Sequence, residues 1–164
     1  MTTPFRPDVE APRSRRTLNS RTRLDVRDRF GPRWRNLKHV WFGAGEALAE
    51  LSLAPAFEVD LEDFKLHPAL LDLATGFALP LLSGYDTAGD FYIPLSYRAV
   101  RIFAPLPSRI FSYVRCANPD EREVAMFDYV IVDEHGQVVA EIDEFVMRRI
   151  ADTRALALTV PPGV

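Results

Sequence analysis

The sequence predicts an α+β domain in which one antiparallel sheet curls around one apolar helix. Three observations carry that expectation. The stretch Leu66–Tyr85 is almost wholly apolar, with Asp72 as its only charged side chain. Strand-like runs rich in β-branched and aromatic residues precede and follow it. Turns bearing glycine or proline separate those runs. The chain has 164 residues, 48% of them hydrophobic, enough for one domain with a substantial core.

Residues 1–23 carry Pro4, Pro7, Pro12, arginines and small polar residues without periodicity. They read as a disordered or extended basic segment. Residues 1–36 hold ten arginines (Arg6, Arg13, Arg15, Arg16, Arg21, Arg23, Arg27, Arg29, Arg33, Arg35) against four acids (Asp8, Glu10, Asp25, Asp28). Such an arm is a solvated tail, or a contact for an acidic partner such as a carrier protein or a phosphate. The whole chain has net charge −3, so no global basic field favours nucleic acid.

The domain is expected over 24–150. Leu24–Phe30 reads as a short helical turn ahead of the Gly31-Pro32 turn. Trp34–Phe42 reads as a strand, Gly43-Ala44-Gly45 as a hairpin turn, and Glu46–Leu53 as the returning strand. An acidic loop runs to Asp63. The helix is expected over about residues 67–82. Pro68 suits its first turn, where a missing N–H costs nothing. Leu66, Leu70, Leu73, Phe77 and Leu81 recur at helical spacing, and Leu71, Ala74 and Ala78 widen the stripe. A helix apolar nearly all round is expected to be buried. Pro80 and Ser83-Gly84 mark its end.

The last third reads as strands. Phe91–Ala104 is a long one with Pro94 near its start. Arg109–Ala117, Glu123–Val132 and Val138–Met147 follow as a meander, with turns at Pro105–Pro107, Asn118–Glu121 and Asp133–Gly136. Residues 151–164 read as a loose tail. One long sheet wrapped around one apolar helix is the hot-dog arrangement.

Two readings of Asp72 stand. It lies on a thin solvent face of the helix or is satisfied by a backbone N–H near the helix start; or it is a general acid/base kept protonated by apolar surroundings. Cys116, the single cysteine, sits in a strand-like run and reads as a buried structural thiol. One cysteine permits no internal disulfide and fits a reducing cytoplasm. The N-terminus lacks the apolar core of a signal peptide, and the apolar run is too short and broken for a membrane span.

Leu66-His67-Pro68-Ala69-Leu70-Leu71-Asp72 resembles the helix motif in the C-terminal hot-dog half of polyketide synthase dehydratase domains. Phe30-Gly31-Pro32-Arg33-Trp34 resembles that family's Tyr-Gly-Pro-x-Phe entry to the first strand. Phe91-Tyr92-Ile93-Pro94-Leu95-Ser96-Tyr97 resembles its strand after the helix, and Val132–Ala140 its final hairpin. The resemblance spans roughly residues 24–150.

The resemblance implies a hydro-lyase of polyketide or fatty-acid biosynthesis. Its domain is two hot dogs in tandem, removing water from a β-hydroxyacyl thioester on an acyl carrier protein. A histidine of the first hot dog takes the α-proton, and the helix aspartate of the second protonates the leaving hydroxyl. Carried over, Asp72 is the acid, and His67, Gly76, Phe30, Pro94 and Tyr97 are substrate-binding positions. No metal or redox cofactor is implied; the phosphopantetheine arm arrives with the substrate. The implied partners are the carrier protein and a second hot dog, by homodimerisation or from another chain, with neither nucleic acid nor membrane.

The chain departs from the family at several points. The first hot dog and its His-x-x-x-Gly-x-x-x-x-Pro motif are missing. His39–Gly43 matches only the first half of that motif, with Leu48 in the proline position, and reads as coincidence. Gly76 stands where the family commonly has Gln or His, and Phe30 where it has Tyr. His67 reads as capping or packing, and His135 as exposed in a turn. These losses keep open a non-catalytic module that binds acyl-pantetheine or dimerises, and a homodimeric thioesterase or cyclase.

Overall fold

The computed structural model describes residues 31–150. The expected basic segment over 1–23, the turn over 24–30 with Phe30, and the tail over 151–164 lie outside the described residues. Seven strands form one antiparallel sheet: β1 (Leu37–Phe42), β2 (Glu46–Ser52), β3 (Tyr92–Ser96), β4 (Ala99–Ile102), β5 (Arg109–Cys116), β6 (Val124–Asp133) and β7 (Val138–Arg149). Their order is β1-β2-β5-β6-β7-β3, with β4 also paired to β7.

Burial alternates along the strands, as the two-residue side-chain period requires. Ala47, Ala49 and Leu51 of β2, Ile110 and Val114 of β5, and Ala125, Phe127, Tyr129 and Ile131 of β6 all point into the core. The main helix, α2 (Pro68–Gly76), lies over these strands against β2, β5 and the 3₁₀ turn Pro32–Trp34. Its Ala69, Leu70 and Ala74 are fully buried, and Phe77 and Ala78 just beyond it join the same core.

The hairpins follow expectation. Gly45 and Gly136 take left-handed φ values of 73° and 77° in their turns, which glycine adopts without steric cost. Asp133 Oδ1 ties the second turn by accepting from the backbone N–H groups of His135 and Gln137 at 2.8 and 2.9 Å.

Four elements differ from expectation. The helix ends at Gly76, and Leu79–Leu81 forms a separate 3₁₀ turn. Pro80 is the cause: its ring lacks the N–H that would bond the carbonyl four residues back, at Gly76, and clashes with it. Trp34 closes the 3₁₀ turn, and the first strand starts only at Leu37. The acidic loop contains a short helix, α1 (Asp60–Asp63), whose acidic first turn suits a helix N-terminus.

The long strand expected over 91–104 is two strands, and it does not join the meander. Both β3 and β4 cross to the far side and pair with β7. The break between them faces Glu144 of β7, which has φ 49°. That residue kinks β7, and the register shifts on both of its neighbours there.

Candidate active site

The exposed face of α2 is a single stripe. Pro68, Asp72 and Gly76 recur at i, i+4 and i+8, and all three are exposed while the opposite face meets the sheet. Asp72 therefore sits on the thin open side of the helix, not buried all round by apolar groups. This matches the thin solvent face, one of the two readings of Asp72, and it replaces the expected apolar setting. Gly76 stands one turn beyond Asp72, and no heavy atom lies within 4 Å of a Cβ placed there.

Asp72 Oδ2 accepts a hydrogen bond from the indole Nε1–H of Trp34 at 2.9 Å. Trp34 is held from two sides. Asn36, itself buried, donates from Nδ2 to the Arg33 carbonyl at 3.0 Å and to the Ala69 carbonyl at 2.9 Å. This amide stitches the 3₁₀ turn to the first turn of α2. Arg33 in turn reaches Asp60 with Nε at 2.6 Å and Nη2 at 3.3 Å, and its guanidinium lies 4.6 Å over the Phe57 ring.

His67 precedes α2 and is only 2% exposed. Its Nε2 lies 3.3 Å from Asp60 Oδ2, and its Nδ1 has no hydrogen-bond partner among the described residues. The hydrogen bond from Arg33, reinforced by His67, holds the Asp60 carboxyl below its ordinary range. Arg33, Trp34, Asp60, Phe64, His67 and Pro68 line a cavity of about 310 Å³ at this end of the helix.

His67 is thus a packed residue beside Asp60, and among the described residues its side chain makes no capping hydrogen bond to α2. It makes no hydrogen bond to Asp72 among the described residues. His39 is exposed on β1 and pairs with Glu50 at 2.9 Å. His135 is exposed in the last hairpin turn. Cys116 is half-buried rather than fully buried, and the burial it has pushes its thiol pKa up.

Pro94 and Tyr97 lie elsewhere. Pro94 pairs with Met147 at the β3 edge, and Tyr97 follows that strand with 60% of its surface exposed. Leu95, Val100, Ile102 and Phe103 are exposed along the same edge. The described chain therefore has two open features: the Asp72 stripe and an apolar edge. Sequence reasoning missed Trp34, Arg33 and Asp60. The available signal was an indole N–H, a polar handle that seeks a partner when packed.

Among the described residues no cluster of His, Cys, Asp and Glu is suited to a metal ion. No helix there is long and apolar enough to cross a membrane.

The family described as the polyketide synthase dehydratase N-terminal domain matches residues 2–157. Polyketide synthase PksM of Bacillus subtilis is 29% identical over 127 residues, covering 74% of this chain and 3% of that protein. Polyketide synthase GfsE of Streptomyces halstedii is 32% identical over 125 residues, covering 75% of this chain and 3% of that protein. A crystal structure of an N-terminal dehydratase from the difficidin assembly line superposes with TM-score 0.61 at 28% identity, covering 77% of this chain and 45% of that one. The chain thus spans a few hundredths of these synthases and under half of that solved dehydratase. With its single sheet laid over one helix, the chain belongs to the polyketide synthase dehydratase family and carries one hot-dog half of it.

Proposed function

We propose that this chain is the acid-bearing hot dog of a dehydratase that acts on a β-hydroxyacyl thioester carried by an acyl carrier protein. The observation that carries the proposal is Asp72. It is the one charged side chain of an apolar helix, it stands on the helix's single open stripe, and a fixed indole N–H holds one of its oxygens.

A second hot dog, from another chain or a second copy, covers that stripe and supplies a histidine base. The base removes the α-proton, Asp72 delivers a proton to the β-hydroxyl, the C–O bond breaks, and water leaves an α,β-unsaturated thioester. Hydroxide is a poor leaving group, so a positioned acid is what the step most needs. Covering the stripe would also exclude water and strengthen every charge interaction inside. The exposed apolar edge at β3 and β4 supports such a partner, since unpaired edges are a liability in an isolated sheet.

One specific observation favours a second reading, a non-catalytic module that binds the acyl-pantetheine. No histidine hydrogen-bonds Asp72 among the described residues, and position 76 offers it no side chain.

Incubation with a β-hydroxyacyl thioester on a carrier protein, followed by mass spectrometry, separates these readings. Dehydration that disappears in Asp72→Asn is the expected result. Retained, bound, unchanged acyl chain would instead support the binding module. Released free acid would make the protein a thioesterase.

A further inference from the structure

We propose that Trp34 is the positioning residue for Asp72, fixing the carboxyl so that Oδ1 rather than Oδ2 meets the substrate hydroxyl. The proposal rests on the dehydratase reading of Asp72 and deepens it. An aspartate on an open helix face has two free side-chain torsions, and one rigid donor removes much of that freedom. Trp34 supplies it: its Nε1–H engages Oδ2 at 2.9 Å.

The donor is rigid because its own backbone is tied down. The two hydrogen bonds of the buried Asn36 amide join the Arg33 carbonyl to the Ala69 carbonyl, so the turn carrying the indole and the helix carrying the carboxyl move as one body. The Arg33–Asp60 pair anchors the same turn to α1. Oδ2, engaged by an N–H, serves as the acceptor oxygen of the carboxyl. The acidic proton then resides on Oδ1, which accepts no hydrogen bond among the described residues. An acid catalyst gains from this arrangement because its proton is presented in one direction rather than averaged over two oxygens.

Position 76 provides the control. Gly76 lies one helical turn from Asp72 on the same open stripe, and a Cβ there meets no atom within 4 Å. A glutamine side chain at 76 starts into open space, at the i+4 spacing that lets helix side chains interact. Trp34→Phe keeps an aromatic ring and removes only the donor. Trp34→Phe with Gly76→Gln offers the carboxyl a replacement donor from one helical turn away.

The three proteins are compared in two ways. Side-chain three-bond NMR couplings report the Asp72 χ1 population: one rotamer in wild type, averaging in Trp34→Phe, and one rotamer again in the double variant. With the carrier-bound β-hydroxyacyl thioester, kcat for dehydration falls about tenfold or more in Trp34→Phe with KM unchanged, and the double variant recovers it. A dehydrating wild type with unchanged kcat in Trp34→Phe overturns the proposal, whatever the couplings show. Couplings that do not respond to Trp34→Phe overturn it as well. If the couplings follow the expected pattern but wild type dehydrates nothing, the dehydratase reading fails and the orienting contact stands.

Discussion

The Tyr129 hydroxyl donates to the Thr75 carbonyl at 2.5 Å, across 54 residues of sequence. Ser112 Oγ does the same for the Ala74 carbonyl at 2.7 Å. Both carbonyls belong to the last turn of α2, where a helix has no N–H left to offer. The sheet therefore caps the helix with side chains from β6 and β5. Burial pushes the Tyr129 phenol pKa well up, which keeps it a donor.

Tyr129→Phe keeps the ring contacts to Phe77, Phe127 and Phe145 but leaves the Thr75 carbonyl unmatched. The expected loss is about 1–3 kcal/mol, the cost of a buried acceptor without its donor. Urea unfolding should show a lower midpoint at an unchanged m-value. An unmoved midpoint would mean that water replaces the hydroxyl.

Asp60 sets a pH dependence. Its hydrogen bond from Arg33 lowers the folded-state pKa below the ordinary 3.8. The stabilisation is therefore complete above the unfolded value and drains away as pH falls through the folded one. Thermal unfolding measured as pH is lowered below about 4 should lose stability more steeply in wild type than in Asp60→Asn. Parallel curves for the two proteins would show that the pair contributes nothing.

The apolar edge should behave as an interface. Ile102 is 52% exposed on β4 beside Phe103. Ile102→Lys places a charge on that surface, a common device for blocking edge association. Sedimentation velocity at low micromolar concentration is expected to show a dimer for wild type and a monomer for the variant. A compact wild-type monomer would contradict the pairing.

Glu144 carries the left-handed backbone of the β7 kink, with φ 49°. Its side chain adds only a surface pair with Arg98 at 3.1 Å, both groups substantially exposed. Glu144→Gly should leave stability equal or higher by up to about 1 kcal/mol. Glu144→Val, β-branched at positive φ, should cost about 1–3 kcal/mol. Denaturant midpoints of the two variants decide it, and equal values would rule out backbone strain.

Local features were legible in the sequence. Pro68 marks the helix start, and the turns around Gly45 and Gly136 depend on glycine at those very positions. The helix end was overrun because Pro80 acts four residues upstream, while Leu81 continues the apolar period through the 3₁₀ turn. The split of 91–104 was hidden because its cause, Glu144, lies on a strand far away in sequence.

The candidate site divides in the same way. Asp72 stood out as the lone charge, and of its two readings the exposed stripe matches the thin solvent face, not the apolar setting. That stripe was present at 68, 72 and 76. The Trp34–Asp72 bond joins residues 38 apart. It depends on a 3₁₀ turn where the pattern of aromatics suggested a strand, so no local reading of Trp34 could supply it.

The strand order also dictates a sequence of events during folding. Strands β5, β6 and β7 are joined by short turns and can zip together early. Pairing β2 with β5 brings Glu46 beside Arg115 and closes a long loop that contains α2. Such closure costs chain entropy before its contacts repay it, so it belongs late on the pathway. Substitutions in the β5–β6–β7 meander should slow folding, whereas those in β1 and β2 should chiefly speed unfolding. The helix bearing Asp72 is then among the last elements enclosed, and stopped-flow φ-values below those of β6 at Leu70 and Ala74 would record it.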